Sequence, residues 1–155
     1  MVIQRWQSLL LFIAAVVMAS FTFLSLGQIT TENYTFNFTS LGFFQEGELA
    51  EGVKPIIIRT WYFFIVSLTT IVILLLDIFL FSNLRLQKTV CLISILMIIA
   101  DASICGFEGF CGIEGGQIGW SSNILCPFIA ILATAMAYWR MNSDHNKLRN
   151  ADRLR

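Results

Sequence analysis

The chain has 155 residues, 57% of them hydrophobic and 13% charged, and its mean hydropathy is +0.75. A soluble domain carries about 25% charged residues, so this composition excludes an ordinary water-soluble fold and reads as an integral membrane protein. Ten basic and ten acidic side chains cancel, which gives the molecule no overall attraction to nucleic acid.

Residues 1–7 form a short lead-in with Arg5 beside Trp6, a charge next to an interfacial aromatic. An uncharged run over about 8–26 follows and is long enough to cross a hydrocarbon core, which takes roughly 20 residues. A secretory signal peptide is the competing reading. Its apolar stretch is usually about 7–15 residues, and Phe21, Phe23 and Leu24 continue past any cleavage point at Ala19, so the segment reads as a span.

Residues 27–59 are the longest polar stretch, with Glu32, Glu46, Glu48 and Glu51 against Lys54 and Arg59. Tyr34-Thr35-Phe36-Asn37-Phe38-Thr39 alternates aromatic and polar, the period of a strand with one covered face. A small β-hairpin on the membrane surface is expected, with Gly42 near its turn. The triplets at Asn33 and Asn37 have the form of glycosylation acceptors.

A second span is expected over about 60–81, opened by the interfacial pair Trp61-Tyr62 and containing Asp77. The basic turn 82–88, with Arg85 and Lys88, leads into a third span over about 89–107 that contains Asp101. Residues 108–119 are glycine-rich and without basic residues, which predicts a compact loop, since each glycine costs a helix about 1 kcal/mol relative to alanine. A fourth span over about 120–139 and a basic tail, 140–155, complete the chain.

Two long apolar runs joined by so short a turn lie antiparallel, and the basic residues place that turn on the cytoplasmic side. Eight basic residues then fall inside (Arg5, Arg85, Lys88, Arg140, Lys147, Arg149, Arg153, Arg155) and two outside (Lys54, Arg59), so both termini are expected to be cytoplasmic.

Asp77 and Asp101 are the first candidates for chemistry, because an ionisable residue inside a span is costly and marks function by default. They lie at different depths and form separate sites. The structural alternative pairs Asp77 with Arg85, Lys88 or Arg140, and Asp101 with Arg59. A proton or cation relay needs polar groups between them, and only scattered hydroxyls, Ser67, Thr69, Thr70 and Ser94, are available.

Cys105 and Cys111 flank the glycine-rich segment as a disulfide, as free thiols or as a redox pair; Cys91 and Cys126 read as small buried hydrophobes. Ala15 and Ala19, and Ala133 and Ala137, stand at the spacing that lets membrane helices pack closely. Arg5, Arg85, Lys88, Arg149, Arg153 and Arg155 are candidate contacts to anionic lipid or to a partner. One histidine and no C-x-x-C pair supply no usual zinc set. No cofactor is implied, and no nucleophile with a partnered base or phosphate-binding loop stands out, so an enzyme is not expected.

The start Ile3-Gln4-Arg5-Trp6-Gln7-Ser8, the turn Asn83-Leu84-Arg85-Leu86-Gln87-Lys88-Thr89-Val90-Cys91 and the end Ala151-Asp152-Arg153-Leu154-Arg155 together resemble the domain-of-unknown-function family 4293, small four-span membrane proteins of Bacteroidota. The resemblance implies a bacterial inner-membrane location, where the two acceptor triplets have no use and an outer-face disulfide can form. It carries no activity and no catalytic residues.

The expected fold is an all-α membrane protein, an antiparallel four-transmembrane-helix bundle with that small hairpin in its first outer loop. The expected function is a non-catalytic accessory or scaffold subunit of a larger inner-membrane complex, with the bilayer and other integral membrane subunits, or further copies of itself, as partners. The alternative is a small oligomeric transporter or channel component using Asp101 and Asp77.

Overall fold

The computed structural model describes residues 2–31, 34–46, 56–80, 83–113 and 115–153, and for 2–5, 84–85 and 144–153 it describes the backbone alone. Four helices carry the architecture: α1 (Val2–Phe23), α2 (Trp61–Phe79), α3 (Leu84–Cys111) and α4 (Cys126–Arg153). Stretches Trp6–Phe23, Trp61–Phe79, Leu86–Cys111 and Ser122–Ser143 are long and apolar enough to cross a membrane. The chain is a multi-pass membrane protein by that measure. A helix is the natural state of such runs, because in lipid each backbone N–H and C=O must find its partner within the segment.

Each helix buries residues spaced alternately by four and three. These are Gln7, Leu11, Ala14, Met18 and Phe21 on α1, and Phe63, Ser67, Thr70, Leu74 and Asp77 on α2. On α4 they are Ala130, Thr134, Ala137 and Met141. A 3.5-residue repeat keeps one seam of each helix turned to its neighbours over its whole length. The remaining faces expose large apolar side chains such as Phe12, Ile65, Leu96 and Leu132, as a lipid-facing surface requires. Exposed hydroxyls on those faces bond back to their own helix, Thr69 to the Ile65 carbonyl (2.8 Å) and Ser103 to that of Ile99 (2.8 Å).

Helix α1 packs on α4 and α2, and α3 packs on the same two. Ala15, Ala133 and Ala137 are buried and Ala19 is half-buried, small residues that suit close approach of backbones. The C-terminal half of α2 meets the start of α3, where Gln87 Nε2 donates to the Asp77 carbonyl (3.2 Å). The C-terminal half of α4 meets the start of α3 as well, where Lys88 Nζ donates to Asn142 Oδ1 (2.7 Å).

The expected hairpin is present but is the middle of a larger element. Strands β1 (Gly27–Thr30), β2 (Thr35–Thr39), β3 (Gly42–Glu46), β4 (Ile57–Arg59) and β5 (Gln117–Trp120) form one five-stranded sheet in the order β4-β3-β2-β1-β5, every neighbouring pair antiparallel. The hairpin turns at Ser40-Leu41, and Gly42 has φ +137°, where a Cβ would also meet the Ile58 carbonyl. Alternation in β2 turns Phe36 and Phe38 to the covered face.

That face closes one end of the bundle. Phe38 stacks on Phe43 with ring centroids 4.8 Å apart and lies 6.3 Å from Phe63 of α2, whose ring meets Phe21 of α1 edge-on at 6.0 Å. All four rings are fully buried, each worth about 1.5–3 kcal/mol relative to exposure to water. The hairpin tip caps the helix ends beside it: Ser40 Oγ donates to the Thr22 carbonyl (2.5 Å), and Thr60 N donates to the Leu41 carbonyl (3.0 Å).

The glycine-rich segment is not a free loop. Helix α3 runs through Gly106 and Gly109 to Cys111, and the chain returns as β5. A Cβ on Gly109 would collide with the ring of Trp120, and one on Gly112 would meet the Phe43 ring at under 3 Å. The glycines let the sheet lie directly on the helix backbone, which offsets their cost in helical propensity. Other boundaries move as well. Leu84–Lys88 open α3 instead of forming a turn, Trp120 ends β5, the fourth helix begins at Cys126, and the tail is helical to Arg153.

Candidate functional site in the bundle interior

The buried face of α3 is mostly polar. Gln87, Cys91, Ser94, Ile98, Asp101, Cys105 and Glu108 recur by four and three, none more than 6% exposed. The sequence holds this pattern openly. It is missed when a span is read only for its apolar content, because polar residues at seam positions then look scattered.

Asp101 is fully buried on α3 and bound to α2 through both carboxylate oxygens. Ser67 Oγ donates to Oδ1 (3.1 Å), and Thr70 Oγ1 lies 2.7 Å from Oδ2. Ser67 and Thr70 are three residues apart and so share one helical face opposite the acid. The expected pairing with Arg59 is not made. Arg59 is exposed at the end of β4, with its guanidinium 5.4 Å from the centre of the Trp61 ring. The reason is geometric, since Arg59 stands before the first turn of α2 while Asp101 meets that helix one to two turns further in.

Asp77 is also fully buried, and neither of its carboxylate oxygens receives a hydrogen bond among the described residues. Of its expected partners, Lys88 binds Asn142 and Arg140 is exposed, while the Arg85 side chain lies outside the described residues. Gln87 donates to the Asp77 backbone carbonyl, leaving Oε1 without a donor. Cys91 Sγ, on the same face of α3, donates to the Thr134 carbonyl of α4 (3.5 Å). Along α2, Thr70 and Asp77 are two turns apart, about 10 Å. On α2 and α3 the buried apolar residues between the two acids are Leu74 and Ile98.

Cys105 and Cys111 are free thiols, one buried and one exposed. Both belong to α3, where a six-residue step is about 9 Å along the axis and turns the side chains to different faces, too far for a disulfide. The side chains of Arg5, Arg85, Arg149 and Arg153 lie outside the described residues, as does Arg155 entirely. No three His, Cys, Asp or Glu side chains come together for a metal ion among the described residues. A mainly apolar cleft of about 300 Å³ opens at the sheet end, lined by Phe21, Cys105, Gly106, Phe110, Trp120 and Phe128 among others. Cys105 lies one helical turn from Asp101.

Four apolar helices closed at one end by a small sheet, with the acids Asp77, Asp101 and Glu108 buried among them, define a multi-pass membrane protein with a polar seam. Residues 3–154 match the family model described as Domain of unknown function (DUF4293), and the chain belongs to that family. No curated protein matches the chain.

Proposed function

We propose that the protein is a non-catalytic accessory or scaffold subunit of a larger complex in the bacterial inner membrane of a Bacteroidota species. The observation that carries this reading is the length of α4. The helix continues ten residues past Ser143, the end of its membrane-crossing stretch, to Arg153, about 15 Å of basic helix beyond the membrane-crossing stretch. Such a projection suits docking to a partner subunit or an anionic leaflet.

In this reading the four spans are antiparallel, which the contacts of α3 with the ends of α2 and α4 support. The sheet faces outward, and both termini are cytoplasmic, as the basic residues favour. The double substitution Arg153→Ala with Arg155→Ala is expected to weaken association with the partner in native membranes, and unchanged association would remove the docking role.

A second reading, a small oligomeric transporter or channel component, is favoured by the polar seam of α3 and the cleft that reaches Cys105. Asp101→Asn distinguishes the two. Transport predicts lost flux with normal assembly, whereas a structural clamp predicts lower stability and no flux to lose.

A further inference from the structure

At the end of the bundle away from the sheet, three buried oxygens have no hydrogen-bond donor by geometry among the described residues: both carboxylate oxygens of Asp77 and Oε1 of Gln87. Gln87 is held in place, because its Nε2 donates to the Asp77 backbone carbonyl at 3.2 Å. Its amide therefore lies against α2 at the residue whose side chain is unpartnered. Asp77 is 0% exposed and Gln87 1%.

Among the described residues the neighbouring elements bring no counter-charge; the side chains of Arg5 and Arg85 lie outside those residues. From α3, the titratable group beside Asp77 is Cys91, whose thiol donates to the Thr134 carbonyl and also reaches the Asp77 carboxyl as a weak, competing donor. From α4, the buried residues at this level are Ala137 and Met141, which do not ionise. From α1, the residue at this level is Gln7, since Gln7 and Asp77 each lie fourteen residues from the contact between Phe21 and Phe63. Lys88 is held by Asn142, and Arg140 is exposed.

Apart from the weak Cys91 thiol, whose one hydrogen is also claimed by the Thr134 carbonyl, this buried site is made of acceptors and lacks a positive hydrogen. An ionised carboxylate here would be a buried charge without a donor, and such groups are neutralised or paired. A metal cation is a poor match, because hard cations take about six oxygens and this site offers three from two side chains. A proton fits: on Asp77 it removes the charge and supplies the O–H that Gln87 Oε1 is missing.

We propose that Asp77 is a proton-binding site, its proton shared with Gln87, and that this proton ties α2 to α3 beside the turn that joins them. Loss of the proton leaves a charge that draws in water and loosens that corner. The proposal goes beyond the accessory-subunit reading and does not depend on it.

The test uses the full chain in phosphatidylethanolamine and phosphatidylglycerol vesicles, treated with dicyclohexylcarbodiimide. The O–H of a protonated carboxylic acid adds across a C=N bond of this reagent, and acyl migration to nitrogen gives a stable N-acylurea with no leaving group. Peptide mass spectrometry is expected to place the adduct on Asp77 at neutral pH. The adduct should fade as pH rises, be indifferent to sodium, and be absent from Asp77→Asn. Because the folded chain then holds a proton that the unfolded chain releases, wild-type stability should fall as pH rises, and fall less steeply in Asp77→Asn. Absence of the adduct from neutral to mildly acidic pH would overturn the proposal. So would protection by sodium at constant pH, which would make the occupant a metal cation.

Discussion

Thr70 and Asp101 join α2 to α3 inside the bundle: Thr70 Oγ1 lies 2.7 Å from Asp101 Oδ2 and 3.0 Å from the Val66 carbonyl of its own helix. The hydroxyl has one hydrogen for two acceptors, so an interhelical bond competes with a local one. Ser67, one turn away, supplies the second interhelical bond. Asp101 thus acts as a two-point clamp, and the polar contact is worth more to helix pairing than its solitary place in the sequence suggests.

Removing one point of that clamp gives the first prediction. Thr70→Val is expected to cost about 1–2 kcal/mol, and a double-mutant cycle with Asp101→Leu to show a coupling of about 0.5–1.5 kcal/mol. Reversible unfolding in mixed detergent measures both. A coupling near zero would mean that the contact contributes nothing to pairing.

The glycines of α3 give opposite expectations. Gly109→Val places side-chain atoms where the Trp120 ring and Ile118 already lie, and should cost about 1–3 kcal/mol through displacement of β5. Gly106→Ala meets nothing within 4 Å and should be neutral or stabilising by up to about 1 kcal/mol. Melting temperatures of the two variants check the contrast, and equal effects would contradict the packing of β5 on α3.

Cysteine accessibility tests orientation together with the free thiols. Cys111 is exposed near the sheet end, whereas Cys91 and Cys105 are buried. A membrane-impermeant maleimide added from the periplasmic side is expected to modify Cys111 and leave Cys91 and Cys105 untouched. Modification of Cys111 only from the cytoplasmic side would reverse the proposed orientation.

The hairpin tip gives a fourth expectation. Ser40→Ala leaves the Thr22 carbonyl at the end of α1 without its side-chain donor and should cost about 1 kcal/mol, read as a lower melting temperature. No change would mean that water replaces the hydroxyl at that buried position.

The spans were legible because an uncharged apolar run of sufficient length has few other uses, and α2 lies within two residues of its expected bounds. The hairpin was legible from the alternation through Phe36 and Phe38. Strands β1 and β5 were not, because four residues are too few to show a period and their pairing joins segments about ninety residues apart. Gly109 and Gly112 counted against a helix by propensity, which cannot register that Trp120 and Phe43 need their vacant space. Of the interior site, Asp77 and Asp101 were visible as charges in apolar runs. The roles of Ser67 and Thr70 were not, since a hydroxyl three residues from another becomes a ligand only when a facing helix brings an acid to it.

The most direct test of the accessory-subunit account is purification of the protein at native expression level in mild detergent from its own cells, with quantitative mass spectrometry of what accompanies it. The account predicts stoichiometric integral membrane partners that are lost when residues 144–155 are deleted. Recovery of the protein alone, or only with copies of itself, would contradict it.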